Sequence, residues 1–175
     1  MPFDVSQFKS QVASKGFARA HSYDCIVTPA AGSGREISLR TESISAPGAA
    51  WMSVDNYKPY GNGRMYTLPY AFNPQEVSMV HTLDADYSVY QDFYEWANKV
   101  VDYKGDKQYT AYYLEEYARP LIIQMYDHNT GALKKTITLN EAFPLSVDQM
   151  QMSWGSSDDT LKLAVSYKYT DWKVS

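Results

Sequence analysis

Three histidines and one cysteine are the residues of this 175-residue chain best suited to chemistry at neutral pH. Histidine acts as an acid, a base or a metal ligand, and a cysteine thiolate acts as a nucleophile. His21, His81 and His128 fall in three different predicted elements, and none has a second histidine at the i, i+4 spacing of a metal-binding helix. Cys25 falls on the apolar side of a predicted strand, where a thiol usually packs inertly. These residues predict neither a metal site nor a nucleophile.

The acidic and glycine-rich motifs do not form a catalytic constellation either. Glu115-Glu116 and Asp158-Asp159 are typical of solvated charge, so they nominate no general acid or base. Gly32-Ser33-Gly34 and Gly61-Asn62-Gly63 are not followed by the Lys-Ser or Lys-Thr of a phosphate-binding loop. No Gly-x-Ser-x-Gly nucleophile elbow occurs. The sequence therefore favours a protein that is not an enzyme and that holds no cofactor.

The composition favours a β-rich protein that associates with other proteins. Hydrophobic residues make up 45% and charged residues 21%, which is ordinary for a folded domain. Sixteen tyrosines accompany six phenylalanines and four tryptophans. Aromatic rings pack well on a half-buried pleated surface, and tyrosine suits interfaces that are apolar at one end and wet at the other.

Charge and cysteine usage exclude several classes of protein. The net charge of −4 gives no basic field for gripping DNA, because DNA binding depends on Lys and Arg neutralising phosphates. A single cysteine allows no intrachain disulfide, which indicates a reducing compartment. The N-terminal segment lacks the basic and apolar regions of a signal peptide, and no apolar stretch is long enough to span a membrane. We expect one domain, residues 1–175.

The elements that would position these residues are mostly strands. Asp4 and Gly16 are placed to begin and end a short N-terminal helix, and alternation over residues 22–45 predicts a hairpin with a turn at residues 29–34. A strand is predicted over residues 76–83. One longer helix follows from Asp86 or Ser88, with an apolar face at three- and four-residue steps: Tyr90, Phe93, Trp96, Ala97 and Val100.

Two further hairpins are predicted in the last third of the chain. Apolar residues alternate from Leu121 to Met125 and again from Leu133 to Leu139, on either side of an Asn129-Thr130-Gly131 turn. Residues 149–154 alternate as Gln and Ser against Met and Trp, and residues 161–169 alternate after a turn at residues 155–159. Antiparallel strands with one buried face and one wet face, packed with a single helix, are the predicted fold.

Residues 49–69 show no clear period and are rich in Gly, Pro, Asn and Tyr, which predicts a long projecting loop or irregular arm. The segment is unusually apolar for a solvated loop, so it either covers its own sheet or contacts a partner. Candidate contact residues between subunits are Pro47, Trp51, Met52, Tyr57, Tyr60, Met65 and Tyr66.

The order of these elements resembles the tail tube proteins of contractile-tailed bacteriophages. The segments that carry the resemblance span nearly the whole chain and are Gly16 to Arg19, Ile44 to Gly48, Phe93 to Trp96, Ile137 to Pro144, Met150 to Trp154 and Tyr169 to Trp172. The resemblance implies an antiparallel β-sandwich or barrel flanked by a helix, which closes into a hexameric ring. Stacked rings would form the inner tube of the virion tail, assembled in the host bacterial cytoplasm.

The resemblance also implies the partners. The chain would contact copies of itself and sheath, baseplate or tape-measure proteins, and genomic DNA would pass without sequence-specific binding and with no membrane involved. Polar residues of the closing strands are candidates for the lumen face or for the outer face: Gln149, Gln151, Ser153, Lys162, Ser166 and Lys168.

Two alternatives remain open from the sequence. The segment from Phe8 to Cys25 equally resembles the baseplate protein that initiates the tube, although such initiators are longer than this chain. A small-molecule-binding β-barrel is supported by aromatic content and one-sided strands.

Overall fold

The computed structural model of the protein describes residues 4–30, 34–57, 65–102, 110–155 and 160–175. The helices are α1 (Val5–Lys15), α2 (Gly34–Leu39), α3 (Ser88–Val100) and α4 (Leu114–Tyr117). The strands are β1 (Tyr23–Val27), β2 (Thr41–Ile44), β3 (Ala49–Tyr57), β4 (Met65–Pro74), β5 (Val77–Thr82), β6 (Val101–Asp102), β7 (Thr110–Ala111), β8 (Arg119–Tyr126), β9 (Leu133–Val147), β10 (Lys162–Lys168) and β11 (Asp171–Val174).

Seven of these strands form an antiparallel sheet in the order β1-β8-β9-β10-β5-β2, with β11 also paired to β9. Strand β9 belongs to two layers. Its residues up to Ala142 pair with β8 and β11, and residues 143–147 pair with β10. The first layer is therefore β1, β8, β11 and the start of β9, and the second layer is β2, β5, β10 and the end of β9.

Strand β9 bends between the layers at Glu141, which has a left-handed φ of 53°. The register against β8 shifts at the same place, as expected of a bulge that turns a strand from one sheet to another. The Glu141 carboxylate accepts a hydrogen bond of 2.6 Å from the Thr170 hydroxyl, where the chain passes from β10 to β11. Strand β9 and the connection from β10 to β11 therefore change layer at the same place.

The core lies between the two layers, because the apolar parity of each strand points inward. Cys25 of β1 contacts Met79 of β5, with 3.8 Å between the two sulfur atoms. Helix α3 completes the core: its Phe93 and Trp96 rings lie 6.4 Å and 6.1 Å from that of Tyr167. The predicted fold, mainly antiparallel β with a packed helix, is confirmed as a sandwich. The sheet is not a closed barrel, since it ends at β1 and β2.

The helix ends follow from local chemistry. The Asp4 carboxylate accepts from the Ser6 backbone N–H at 2.8 Å, and Gly16 ends α1 with a φ of 67°, as predicted. Helix α3 begins at Ser88, but its first backbone N–H groups are capped by Asp84, which accepts from Ser88 and Val89 at 3.1 Å and 3.3 Å. The cap thus lies before both residues predicted to open the helix.

Three sequence-based predictions of local structure are wrong. Residues 22–45 do not form a hairpin, because α2 separates β1 from β2 and these strands pair with β8 and β5. Residues 49–57 and 65–74 are paired strands and not an irregular loop. Residues 149–154 are not a strand, and β9 instead continues through residues 140–147.

The two remaining strand predictions in the last third are confirmed. Strands β8 and β9 pair around the Asp127–Gly131 turn, and β10 buries Leu163, Val165 and Tyr167. Within the described ranges, no helix has the length and apolar character needed to cross a membrane.

Candidate assembly surfaces

Two of the four potentially reactive side chains, Cys25 and His81, lie in the core. Burial, reinforced by the charge of Asp24, raises the pKa of Cys25 to about 12, so its thiol stays protonated at neutral pH. Burial also disfavours the charged form of His81 and lowers its pKa to about 4. A hydrogen bond to the Ile37 backbone raises this pKa, but by less than burial lowers it. Neither group is available to a substrate in solution, since both side chains are buried.

The structure brings together two histidines that the sequence placed apart. His21, before β1, and His128, in the β8–β9 turn, have Nε2 and Nδ1 3.2 Å apart, with the rings edge to face. The contact ties the segment before β1 to that turn. In the described residues no three His, Cys, Asp or Glu side chains cluster as metal ligands. Sequence reasoning missed this contact between the histidines because it depends on the pairing of β1 with β8, which are far apart in the sequence.

The feature best suited to assembly is the hairpin of β3 and β4, which is a separate two-stranded sheet. At its root, Gln75 N–H donates to the Gly48 carbonyl at 3.2 Å and so joins the two ends of the hairpin. The root is also attached to the body. Lys168, at the end of β10, donates to the Pro74 carbonyl at 3.3 Å and lies 3.9 Å from the Glu76 carboxylate.

The hairpin exposes apolar side chains on both of its faces. On one face Trp51 of β3 meets Phe72 of β4, with ring centroids 6.1 Å apart. On the other face Val54 lies opposite Leu68, and the Tyr70 hydroxyl lies 4.0 Å from the sulfur of Met52. Trp51 is 66% exposed, Leu68 52% and Tyr70 65%. A hairpin that covered its own sheet would bury one face, whereas this one leaves apolar side chains exposed on both faces.

The predicted contact residues are distributed along this hairpin. Pro47 is half-buried just before β3, and Trp51 and Met52 are exposed on β3. Tyr57, Met65 and Tyr66 lie in the strands near the far end, and their side chains are outside the described part of the molecule. Tyr60 lies outside the described residues. Sequence reasoning missed Leu68, Tyr70 and Phe72. Leu68 and Phe72 lie in register opposite Val54 and Trp51, and Tyr70 lies at the register shift with its hydroxyl near the sulfur of Met52.

The polar residues proposed as a lumen or outer face do not share one strand. Gln149, Gln151 and Ser153 are exposed in the irregular segment between β9 and β10. In the same segment Met152 is largely exposed and Trp154 is fully exposed. Lys162, Ser166 and Lys168 lie on the outward side of β10. The two lysines are engaged there, since Lys162 lies 2.7 Å from the Glu42 carboxylate and Lys168 holds the hairpin root.

Strand edges form a second candidate surface. Within the described strands, β1 pairs only with β8, β2 only with β5 and β11 only with β9, so each has one unpaired edge. Such edges accept strands from other molecules. The edges of β1 and β2 face each other across a groove of about 690 Å³, which we call the β1–β2 groove. Its lining includes His21, Tyr23, Asp24, Leu39, Glu42 and Ile44.

Comparisons with known proteins agree with this geometry. The sequence model of a family described as phage tail tube protein matches residues 2–175. No curated protein matches the sequence.

The fold resembles that of several solved structures. A chain of the PVC sheath–tube complex, from an extracellular contractile injection system in its extended state, is 13% identical with a TM-score of 0.66, covering 95% of this chain and 96% of its own. A chain of the six-fold symmetrised baseplate of the anti-feeding prophage is 14% identical with a TM-score of 0.65, covering 91% and 95%. Hcp1 from Flavobacterium johnsoniae is 10% identical with a TM-score of 0.51, covering 90% and 94%. At these identities the similarity concerns the fold, whereas the family model covers nearly every residue. The chain belongs to the phage tail tube protein family.

Proposed function

We propose that the chain is a structural subunit that closes into a homohexameric ring, and that the rings stack into the inner tube of a phage tail or a related contractile injection apparatus. The observation that carries this proposal is the β3–β4 hairpin, which is apolar on both faces and fixed to the body at its root. A projecting element with two contact surfaces can engage two neighbours at once. Heterologous contacts of this kind close into rings by rotation and repeat into filaments by translation.

The six-fold symmetry and the partners rest on the similarity to machines of this kind. The resembling chains come from a sheath–tube complex and from a six-fold symmetrised baseplate. Accordingly, the proposed partners are copies of this chain, with sheath, baseplate and tape-measure proteins beyond the ring. The particle is a virion tail or its counterpart, and the subunits are assembled in the host bacterial cytoplasm.

Transport through the proposed tube would be passive, and the chain would not act as an enzyme. The net charge of −4 opposes adhesion of phosphate groups, so DNA in a phage would slide through the lumen without sequence-specific contacts. Gln149, Gln151 and Ser153 are proposed to contribute to the polar lumen or outer surface. The inner space of each subunit is filled by Phe93, Trp96 and Tyr167, which favours the tube subunit over a small-molecule-binding barrel.

The experiment is to purify the full chain and follow its assembly by light scattering and negative-stain electron microscopy. We expect rings of six chains that extend into long hollow filaments as the concentration rises. A particle of 19.9 kDa at every concentration would contradict the proposal.

The tube initiator ring of a baseplate is the second candidate, because the TM-score against the baseplate chain, 0.65, equals that against the sheath–tube chain within 0.01. An initiator is expected to stop at a single ring in the same experiment. Growth of filaments would exclude it.

A further inference from the structure

Two exposed imidazoles, those of His21 and His128, meet at the surface although they are 107 residues apart in the sequence. Nε2 of His21 lies 3.2 Å from Nδ1 of His128, and the rings stand edge to face with their centroids 4.8 Å apart. The contact holds one N–H···N hydrogen bond, and it also places two metal-ligand atoms side by side. The pair therefore has a chemistry that neither histidine has alone.

The distance between these two nitrogens fits the chelation of one zinc ion. Zn–N bonds measure about 2.0–2.1 Å, so two imidazole nitrogens at the tetrahedral angle lie about 3.3–3.4 Å apart. The observed separation is 3.2 Å. The ion would lie beside the line that joins the nitrogens, since half of that separation is too short for a Zn–N bond. On binding, the imidazole that donates in the pair carries its proton on its other ring nitrogen, so both facing nitrogens offer lone pairs.

Backbone hydrogen bonds hold both histidines where they meet. Tyr126 N–H donates to the carbonyl of Ser22 at 2.9 Å, which extends the β1–β8 ladder to the residue after the first histidine. The turn that carries His128 is closed at its base, where Asp127 N–H donates to the Ala132 carbonyl at 2.9 Å. Both segments are thus ordered before any ion binds, so chelation does not need to order them.

The turn also places a negative charge next to the pair. Hydrogen bonds from the Thr130 hydroxyl and the Asn129 N–H lower the pKa of Asp127, so its carboxylate is ionised at neutral pH. Lys134 lies 3.8 Å from the same carboxylate and offsets part of its charge. A carboxylate one residue before His128 favours a cation over a neutral ligand at this position.

We propose that His21 and His128 together bind one zinc ion per chain, with water molecules in the remaining coordination positions. Imidazole nitrogen is a preferred ligand of zinc and of the neighbouring copper and nickel ions. Among the residues placed by the structure, no third His, Cys, Asp or Glu joins the pair, so the site stays open to solvent and the ion exchangeable. The ion would clamp the segment between α1 and β1 to the β8–β9 turn. The site needs one chain only and does not rest on the proposed ring.

The test is titration of the full chain, purified without a histidine tag, with zinc chloride. Calorimetry is expected to give one zinc ion per chain. The melting temperature is expected to rise by about 5 °C at a zinc concentration 100 times the Kd, because an ion that binds the folded state stabilises it. A parent chain that shows neither binding heat nor a higher melting temperature at up to about 1 mM zinc would overturn the proposal.

Two variants assign the ion to the pair. His21→Asn and His128→Asn keep a polar residue suited to turns and are each expected to weaken zinc binding at least about tenfold, since one of two protein ligands is lost. Glu42→Gln is the matched control, because it removes an exposed carboxylate that lines the same groove as His21, and it is expected to bind zinc like the parent chain. Zinc affinity that survives in both asparagine variants would place the ion elsewhere.

A chemical measurement on the unaltered chain removes any dependence on how the variants fold. Diethyl pyrocarbonate modifies accessible imidazoles, and mass spectrometry reads each histidine separately. Zinc is expected to protect His21 and His128 together, while the buried His81 is expected to stay unmodified with or without zinc. Equal modification of the exposed pair in the presence and absence of zinc would contradict the site.

Discussion

The hydroxyl oxygen of Thr41 lies 3.1 Å from Nδ1 of His81, and this contact determines which imidazole nitrogen carries the proton. The Thr41 hydroxyl donates to the Ile37 carbonyl at 3.0 Å, so its oxygen accepts from Nδ1–H. Nε2 then accepts from the Tyr167 hydroxyl, 3.4 Å away. A neutral histidine therefore links β2, β5 and β10 inside the core.

Acidification is expected to destabilise the fold through His81. Burial lowers the pKa of His81 to about 4, whereas the pKa of a histidine in an unfolded chain is about 6.5. The unfolded state therefore binds an extra proton between these values, and the free energy of unfolding falls as pH drops through that window, by on the order of 3 kcal/mol in full. Thermal melts at pH 7 and pH 4.5 measure this. His81→Gln is expected to flatten the pH dependence, and an unchanged slope in that variant would contradict the assignment.

Trp96→Phe is expected to lower the free energy of unfolding by about 2 kcal/mol, because it leaves a cavity and removes a buried hydrogen bond. Trp96 Nε1–H donates to the Tyr117 carbonyl at 2.8 Å and so joins α3 to α4. Urea denaturation measures the change. Tyr90→Phe, on the same helix but partly exposed, serves as the control and is expected to change stability little. Equal losses in both variants would contradict the role given to Trp96.

Gly34→Ala is expected to destabilise the protein by about 1 kcal/mol or more. A Cβ at Gly34 would collide with the Val27 carbonyl oxygen and lie 2.8 Å from Cδ of Pro29. Such overpacking costs about 1–3 kcal/mol, and the better helix propensity of alanine returns at most about 1 kcal/mol. Gly155→Ala is the matched control, since its Cβ would meet only Ser153 Oγ at 3.8 Å. Thermal melts that place Gly34→Ala at or above the parent chain would refute this packing argument.

Trp51→Ser and Leu68→Ser are expected to abolish rings and filaments while leaving the melting temperature of the single chain nearly unchanged. Both side chains are largely exposed in the hairpin, so they contribute more to contacts between chains than to the core. Light scattering measures assembly, and thermal melts in dilute solution measure folding. Leu145→Ser, which changes an equally exposed leucine on β9, is the control. Assembly lost equally in the control would show that the hairpin has no special role.

Where a turn or a cap lies close in sequence to the residues that it orders, the local signals predicted the structure correctly. The β8–β9 hairpin follows from alternation on either side of a turn, in which Gly131 takes a φ of 65° and donates its N–H to the Asp127 carbonyl at 2.8 Å. Both ends of α1 and the buried parity of β5 and β10 likewise depend on residues close in sequence.

Non-local pairing was not predictable from these signals. Strands β1 and β2 find partners about 100 and 40 residues away, and the intervening α2 gave no pattern distinct from a strand. The β3–β4 hairpin lacked the alternation of a half-buried strand, because both of its faces are apolar. Residues 149–154 show that alternation, yet no strand in the described part of the chain pairs with them.

The bend of β9 at Glu141 has a mechanical consequence. One covalent strand belongs to both layers, and the chain running from β10 to β11 crosses beside it. The two layers are therefore joined by the peptide backbone as well as by side-chain packing. Sliding of one layer past the other would strain this crossing, so the covalent connection resists such a movement.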